Sequence, residues 1–376
     1  MRNFKNIQRI VIKIGTNTLS MPDGTPDKNK IEELAEDISV LKNKGYKVLI
    51  VSSGAIGFGM QFLGLDKRPS GIEMKQACAA VGQPVLMEHW RKSFSKRNIV
   101  TAQILLTRET FDERRSFLNL RNVVEKLLSL GTVPVLNEND SISTVEIGDI
   151  FGDNDSLSAH IASKLNAELL ILLTDIDALY NKDPKKYPEA SPIDVVEKLT
   201  GEILSAAGNA GSSKGTGGMK TKLHAVEIAS RAGCRTVLAD GSIKGVLNKI
   251  VSGEKIGTLF LPSGKLGARA RWILSARPKG KILIDAGAVK ALGKRKSLLP
   301  KGITGVEGHF NHGDVVMLGE EYAGITSWDS DDIKKIMGRH SREIKNILGA
   351  GFTEEIVKAE NIVSIKEINN GKTNKY

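Results

Sequence analysis

Two lysines far apart in the chain, Lys13 and Lys222, stand in the segments best suited to chemistry. Lys13 lies in Ile10-Val-Ile-Lys-Ile-Gly15, an apolar run that ends in glycine. Lys222 closes Gly215-Thr-Gly-Gly-Met-Lys-Thr-Lys222, a glycine loop that opens a helix. An ammonium in an apolar strand is costly unless an anion meets it. A glycine loop feeding a helix N-terminus holds phosphate through backbone N–H groups. Together the two predict a site that grips a phosphoryl group from both sides. An edge-strand lysine reaching solvent is the other reading of Lys13. The small residues Gly15 and Thr16 weigh against it, since they let a ligand approach the backbone.

Polar clusters recur where strands end. Ser53 and Gly54, in Ser52-Ser-Gly-Ala-Ile-Gly57, offer a hydroxyl and N–H groups to an anion. Asn137-Glu-Asn-Asp140 follows the strand at 133–136, and Gly152-Asp-Asn-Asp155 opens the next helix. Asp155 either caps that helix, orients the two lysines, or shares Mg²⁺ with substrate phosphates. Thr174 and Asp175 end another strand and suit hydrogen bonding to a nucleotide. Each of these segments also reads as an ordinary turn. The loop at 215–222 lacks Walker A spacing and the strand–G-x-G-x-x-G–helix context of a dinucleotide fold. The H-R-D and D-F-G motifs are missing, as is G-x-S-x-G. The six histidines are scattered, and His309 and His312 read as solvated loop residues.

The elements that must position these residues alternate. Strands are expected at 8–14, 47–52, 99–106, 133–136, 168–173 and 235–238. Helices are expected at 73–94, 113–130, 155–165 and 219–231, the last closed by Gly233. Asp27 can cap a further helix whose apolar face is Ile31, Leu34, Ala35, Ile38 and Leu41, ended by Gly45. Continuous apolar strands alternating with helices predict an α/β fold whose mostly parallel sheet is covered on both faces. Ligands in such sheets bind beyond the carboxyl ends of the strands.

Beyond residue 262 the character changes. Residues 262–281 carry Lys265, Arg269, Arg271, Arg277, Lys279 and Lys281 and no acid. We read 1–260 as the first domain, 261–278 as a basic linker, 279–360 as a small β-barrel unit with one helix at 330–337, and 361–376 as a polar tail. The length of 376 residues suits two domains, and 40% hydrophobic content supports a real core. A net charge of +11 favours anionic partners, whereas 5% aromatics offers few stacking platforms for single-stranded nucleic acid. Cys78 and Cys234 are the only cysteines, so a reducing cytoplasm fits. The first residues lack the apolar core of a signal peptide, and no run approaches a membrane span.

Val11-Ile-Lys-Ile-Gly15, Val51-Ser-Ser-Gly-Ala55, Asn137-Glu-Asn-Asp140, Gly152-Asp-Asn-Asp155, Leu173-Thr-Asp175 and Gly215-Thr-Gly-Gly-Met219 occur in the order seen in glutamate 5-kinases. The chain resembles that family, enzymes of the amino-acid kinase fold that begin proline synthesis. Ser297-Leu-Leu-Pro-Lys-Gly-Ile303 and Gly308-His-Phe-Asn-His-Gly-Asp-Val-Val316 resemble the PUA domain attached to many of them. Each motif is weak alone, but their order and the tail make the likeness specific. The resemblance implies a three-layer αβα kinase domain and ATP-dependent phosphorylation of the L-glutamate side chain, with Mg²⁺ held mainly by ATP. By position, Ser53, Gly54, Asp140 and Asn154 would bind the amino acid. Lys13, Thr174, Asp175, Thr216, Gly217, Gly218, Met219, Lys220, Thr221 and Lys222 would bind ATP. Lys13 and Lys222 would neutralise the moving phosphoryl group, with Asp155 holding both. The family further implies proline inhibition, a homo-oligomer and hand-off to glutamyl-phosphate reductase.

The physics agrees with such a reaction. A glutamate side chain, with a pKa near ~4.3, is already ionised at pH 7, so no general base is needed. Bringing two anions together is the difficulty, and lysines with oriented N–H groups answer it. A kinase acting on acetylglutamate, aspartate or a nucleoside monophosphate is the alternative within the fold. RNA binding by the tail is the alternative outside it: 279–301 holds seven basic residues against Asp285 alone. A solvated basic face is the preferred account of that charge.

Overall fold

Ile10, Val11, Ile12 and Ile14 leave no polar face on the first strand, so the strand must be covered on both sides. It forms β1 (Arg9–Ile14), between β2 (Lys47–Ser52) and β5 (Leu169–Thr174), all parallel. With β3 (Thr101–Leu106), β4 (Val133–Glu138), β6 (Val195–Val196), β7 (Arg235–Asp240) and β8 (Thr258–Phe260), the sheet order is β3-β4-β2-β1-β5-β7-β8-β6. Among the described strands of this sheet, the β7–β8 pairing alone is antiparallel. The computed structural model describes residues 1–4, 6–67, 69–107, 109–142, 154–184, 186–201, 203, 204, 218–264, 266–340, 343 and 353–365. Two compact units divide the chain, Met1–Lys265 and Leu266–Tyr376.

Among the described residues of the first unit the helices are α1 (Thr16–Leu19), α2 (Lys28–Asn43), α3 (Ala55–Phe62), α4 (Ile72–Ser95), α5 (Glu109–Asp112), α6 (Arg114–Ser129), α7 (Asn154–Lys164), α8 (Met219–Arg231) and α9 (Val246–Ser252). Two cores lie on the two faces of the sheet. Ile10, Ile12 and Ile14 pack with Val48, Ile50, Leu169 and Ile171 under α2 and α4. Val11 packs with Leu49, Leu170, Leu172 and residues of α7 and α8 on the other side. The predicted cap is present: the Asp27 carboxylate accepts from Lys30 N at 2.9 Å. Ile31, Leu34, Ala35, Ile38 and Leu41 are all buried, and Gly45 ends α2 with φ 91°.

Helices α3 and α4 cross at backbone contact. A Cβ on Gly82 would lie 1.8 Å from Ala55 O and 2.4 Å from Gly59 N, and one on Gly59 would lie 1.8 Å from Cys78 O. Backbone atoms cannot rotate aside, so one added methyl group must separate the helices. Gly82→Ala is expected to cost about 3 kcal/mol of stability, the upper end for overpacking. Urea denaturation checks it, and an unchanged midpoint would mean the helices do not meet.

The second unit differs from expectation at both ends. The segment read as a linker holds a helix, α10 (Ala268–Ser275). Basic and small residues mask an apolar face in the sequence: Leu266, Ala270 and Ile273 are buried with Val315, Ala323 and Val363. The stretch read as a tail begins with a strand, β13 (Ile362–Ser364), paired antiparallel with β12 (Tyr322–Ile325). These join β9 (Gly280–Ile284), β10 (Ile303–Gly308) and β11 (Val315–Leu318) in the order β10-β9-β11-β12-β13. Helices α11 (Ala286–Gly293) and α12 (Ser330–Ile336) complete the unit. Of the basic residues at 279–301, Lys281 pairs with Glu320, whereas Lys290, Lys294, Lys296 and Lys301 are exposed.

Candidate active site

Alternation along β1 decides where Lys13 points. Side chains two apart share a face, so Lys13 follows Val11 toward α7 and α8. Lys13 Nζ lies 2.6 Å from Asp155 Oδ1, and Lys222 Nζ lies 3.2 Å from Asp155 Oδ2. Asp155 is 0% exposed, Lys13 6% and Lys222 5%. Burial alone would drive the Asp155 carboxyl upward. The charges of Lys13 and Lys222 outweigh it and hold the group below the usual carboxylate range. The three groups together carry one net positive charge at the carboxyl end of the sheet. Asp155 is the second residue of α7, and its side chain serves the lysines.

A second network starts where β2 ends. Gly54, at φ 112°, turns the chain into α3 in a conformation that favours glycine. Ser53 Oγ accepts from Asn154 Nδ2 at 2.8 Å, and the same nitrogen donates to Asn137 Oδ1 at 3.0 Å. Asn137 Nδ2 donates to Gln83 Oε1 at 2.8 Å. Asp140, just past β4, is partly buried. Burial, reinforced by the charge of Glu138, pushes its carboxyl up to about 7.

A third group lies where β5 ends. Thr174 Oγ1 donates to Asp175 Oδ1 at 3.0 Å, and Asn17 Nδ2 donates to Asp175 Oδ2 at 3.0 Å. Burial pushes the Asp175 carboxyl up, but the bonds from Asn17 and Thr174, with the charge of Lys222, bring it below its ordinary value. Gly218 stands at the N-terminus of α8, and Thr221 Oγ1 donates to its carbonyl at 2.8 Å. Met219 is half-buried and Lys220 exposed. Thr216 and Gly217 lie outside the described residues. A cavity of about 670 Å³ between residues 16–24 and the end of α3 touches this group through Asn17.

The structure thus joins Lys13, Asp155 and Lys222 in one ion cluster, Ser53 and Asn154 in one network, and Thr174 and Asp175 in a pair. Sequence reasoning passed over Asn17, although it stands two residues after Gly15. It passed over Gln83 as well, which has no local signal: it is a mid-helix glutamine beside Pro84. Protein-held Mg²⁺ does not fit the described residues. Both Asp155 oxygens face lysines, both Asp175 oxygens accept side-chain protons, and no cluster of three or more His, Cys, Asp or Glu could hold a metal. Among the described residues, no helix is long and apolar enough to cross a membrane.

Residues 8–240 match the amino acid kinase family, and residues 280–348 match the PUA domain. The glutamate 5-kinase of Methanosarcina barkeri is 48% identical over 371 residues, covering 96% of this chain and 97% of that protein. That of Caldanaerobacter subterraneus is 43% identical over 366 residues, covering 95% and 98%. The crystal structure of UMP kinase from Ureaplasma parvum is similar at a TM-score of 0.47 and 17% identity, over 68% of this chain and 99% of that one.

Proposed function

The chain belongs to the glutamate 5-kinase family of amino acid kinases, and we propose that it transfers the γ-phosphoryl group of ATP to the side-chain carboxylate of L-glutamate. The observation that carries this reading is the buried Lys13–Asp155–Lys222 cluster, two cations on one carboxylate where the strands end. A carboxylate oxygen attacks the γ-phosphorus, the bond from phosphorus to the ADP oxygen breaks, and ADP leaves as glutamyl 5-phosphate forms. The attacking group is ionised at pH 7, so no proton has to be removed. What the chain supplies is charge and position. Lys13 and Lys222 offset the charge shared by acceptor, phosphoryl group and leaving oxygen. Asp155 holds both ammonium groups at the reacting centre. Ser53, Gly54, Asn154 and Asp140 receive the amino acid. Thr174, Asp175 and residues 216–222 receive ATP. Mg²⁺ would arrive on the nucleotide's phosphates.

Asp140 gives this reading a pH dependence. Its carboxyl, pushed up to about 7, is largely neutral at pH 6 and largely charged at pH 8. If it receives the α-ammonium of glutamate, the KM for glutamate falls as pH rises through 7. Asp140→Asn is expected to raise that KM and to flatten its pH profile between 6 and 8. A profile equally steep in the variant would remove Asp140 from the acceptor pocket. In stability the sign is opposite. A carboxyl whose folded value is raised contributes stability at low pH that is lost as pH rises through 7.

The family also supplies proline as an inhibitor. Residues 71–76 at the start of α4, and 141–149 beyond Asp140, are the segments we assign to it; of these, 143–149 lie outside the described residues. The direct experiment supplies ATP, Mg²⁺ and L-glutamate and traps acyl phosphate with hydroxylamine, with aspartate, N-acetylglutamate and UMP alongside. Glutamate-dependent hydroxamate, reduced by added proline, is expected. Turnover only with another acceptor would keep the fold and overturn the substrate.

A further inference from the structure

Asn17 holds the second position of α1, yet its side chain does not serve that helix. The N-cap of α1 is Gly15, so no side chain caps it, and the Asn17 amide instead reaches Asp175, 158 residues on. An ionised carboxylate has no proton to give. Asn17 must therefore turn Nδ2 toward Asp175 Oδ2, and Thr174 must donate its hydroxyl proton to Oδ1. Chemistry alone sets the direction of both bonds. The base from which Asn17 acts is also fixed. Leu19 is 0% exposed, and Thr18 packs against Gly241, where an added Cβ would lie 2.5 Å from Thr18 Cγ2. Gly241 N donates to Thr174 O at 2.8 Å, so α1 rests on the ends of β5 and β7. The Asp175 side chain is by contrast exposed. Without Asn17 its carboxylate would be held through one oxygen and could turn toward water. Burial raises that carboxyl, and the bond from Asn17 leads those that bring it down.

We infer that Asn17 is a positioning residue, which ties the end of β1, the strand that carries Lys13, to the Asp175 carboxylate at the end of β5 and fixes how that carboxylate meets a ligand. Each Asp175 oxygen accepts one bond from the protein and keeps a further lone pair for a donor group of the ligand. With both oxygens held, the plane of the carboxylate is set before the ligand arrives, and little ordering is left to binding. That the ligand is ATP rests on the function proposed above. Glutamate is received there by other residues, so the effect of Asn17 belongs to the nucleotide.

Two variants of similar size test the tie. Asn17→Leu removes the donor. It is expected to raise the KM for ATP about five-fold, with kcat and the KM for glutamate within about two-fold. Asn17→Asp sets carboxylate against carboxylate, and at pH 8 is expected to raise the KM for ATP more than about ten-fold. Its deficit relative to wild type should shrink as pH falls toward about 5, where the two carboxyls share a proton and the introduced group donates to Asp175. A deficit equal at both pH values, or equal elevation of the two KM values in N17L, would overturn the proposal. The tie is also read without nucleotide, from the Asp175 carboxyl followed by NMR in protein labelled with ¹³C-aspartate, its signal identified by its loss in Asp175→Asn. The titration midpoint is expected to lie below the ordinary aspartate value in wild type and to rise by about half a unit or more in N17L. A midpoint indifferent to N17L overturns the proposal. Wild-type protein that binds no ADP in calorimetry, with a midpoint that still follows position 17, would sink the functional reading and support the tie.

Discussion

Lys13→Ala and Lys222→Ala are each expected to lower kcat by about a hundred-fold or more, while the KM for glutamate stays within about three-fold. Removing one preorganised charge from a reacting centre costs about 10²–10³ in turnover. In the proposed reaction the effect falls on kcat because the negative charge these ammoniums would meet is spread over the phosphoryl oxygens in the transition state, whereas the acceptor would be held by Ser53, Asn154 and Asp140. Steady-state kinetics with glutamate and ATP varied separately decide the matter. Losses confined to KM in both variants would remove the lysines from the chemistry. A Lys→Arg change at either position restores charge but spreads it over a planar fork. Partial rescue of kcat is expected at best, since Asp155 Oδ1 meets a compact ammonium at 2.6 Å.

Asp155→Asn is expected to abolish turnover and to destabilise the first unit. Breaking a buried ion pair by removing one partner costs about 3–5 kcal/mol, because the remaining charge is left in a medium that solvates it poorly. Here two cations lose one anion, with Lys13 6% and Lys222 5% exposed. The pH dependence provides an independent check. The Asp155 carboxyl is held below its ordinary value in the folded state, so its contribution is present above the unfolded value near ~3.8 and is lost as pH falls through the folded one. Wild type should therefore lose stability on acidification below pH 4 more steeply than the variant does. Equal midpoints in urea at pH 7 would show that the cluster does not hold the fold.

Much of this was legible where the signal is local. The stripe Ile31–Leu34–Ala35–Ile38–Leu41 with its Asp27 cap, the strand Lys47–Ser52 and the helix Met219–Arg231 before Gly233 all follow from spacing and end signals within a few residues. Lys13 was conspicuous because charge in an apolar strand is rare. Its partner was not settled locally, since Asp155 read equally as a helix cap; only packing α7 and α8 on the same face as Val11 brings the three groups together. The helix Ala268–Ser275 was hidden by its arginines, whose stems can lie along apolar surface while composition reports only charge. The strand Ile362–Ser364 was too short to stand out from the polar residues around it. Gln83 lay furthest from view: its hydrogen-bond partner Asn137 stands 54 residues later, and nothing in its own helix marks it.

The glycine contact between α3 and α4 bears on how the enzyme adapts to its ligands. Helix α3 begins immediately after Gly54, and α4 carries Gln83 one residue beyond Gly82. With main chains touching at Gly59 and Gly82, the two helices can slide only if their backbones separate. Ser53 and Gln83 are therefore tied to one stiff body, whose geometry is complete when folding ends. In the proposed reaction a carboxylate arriving there would meet preset donors and pay little ordering entropy. Rearrangement that accompanies turnover must then come from segments that do not share this contact.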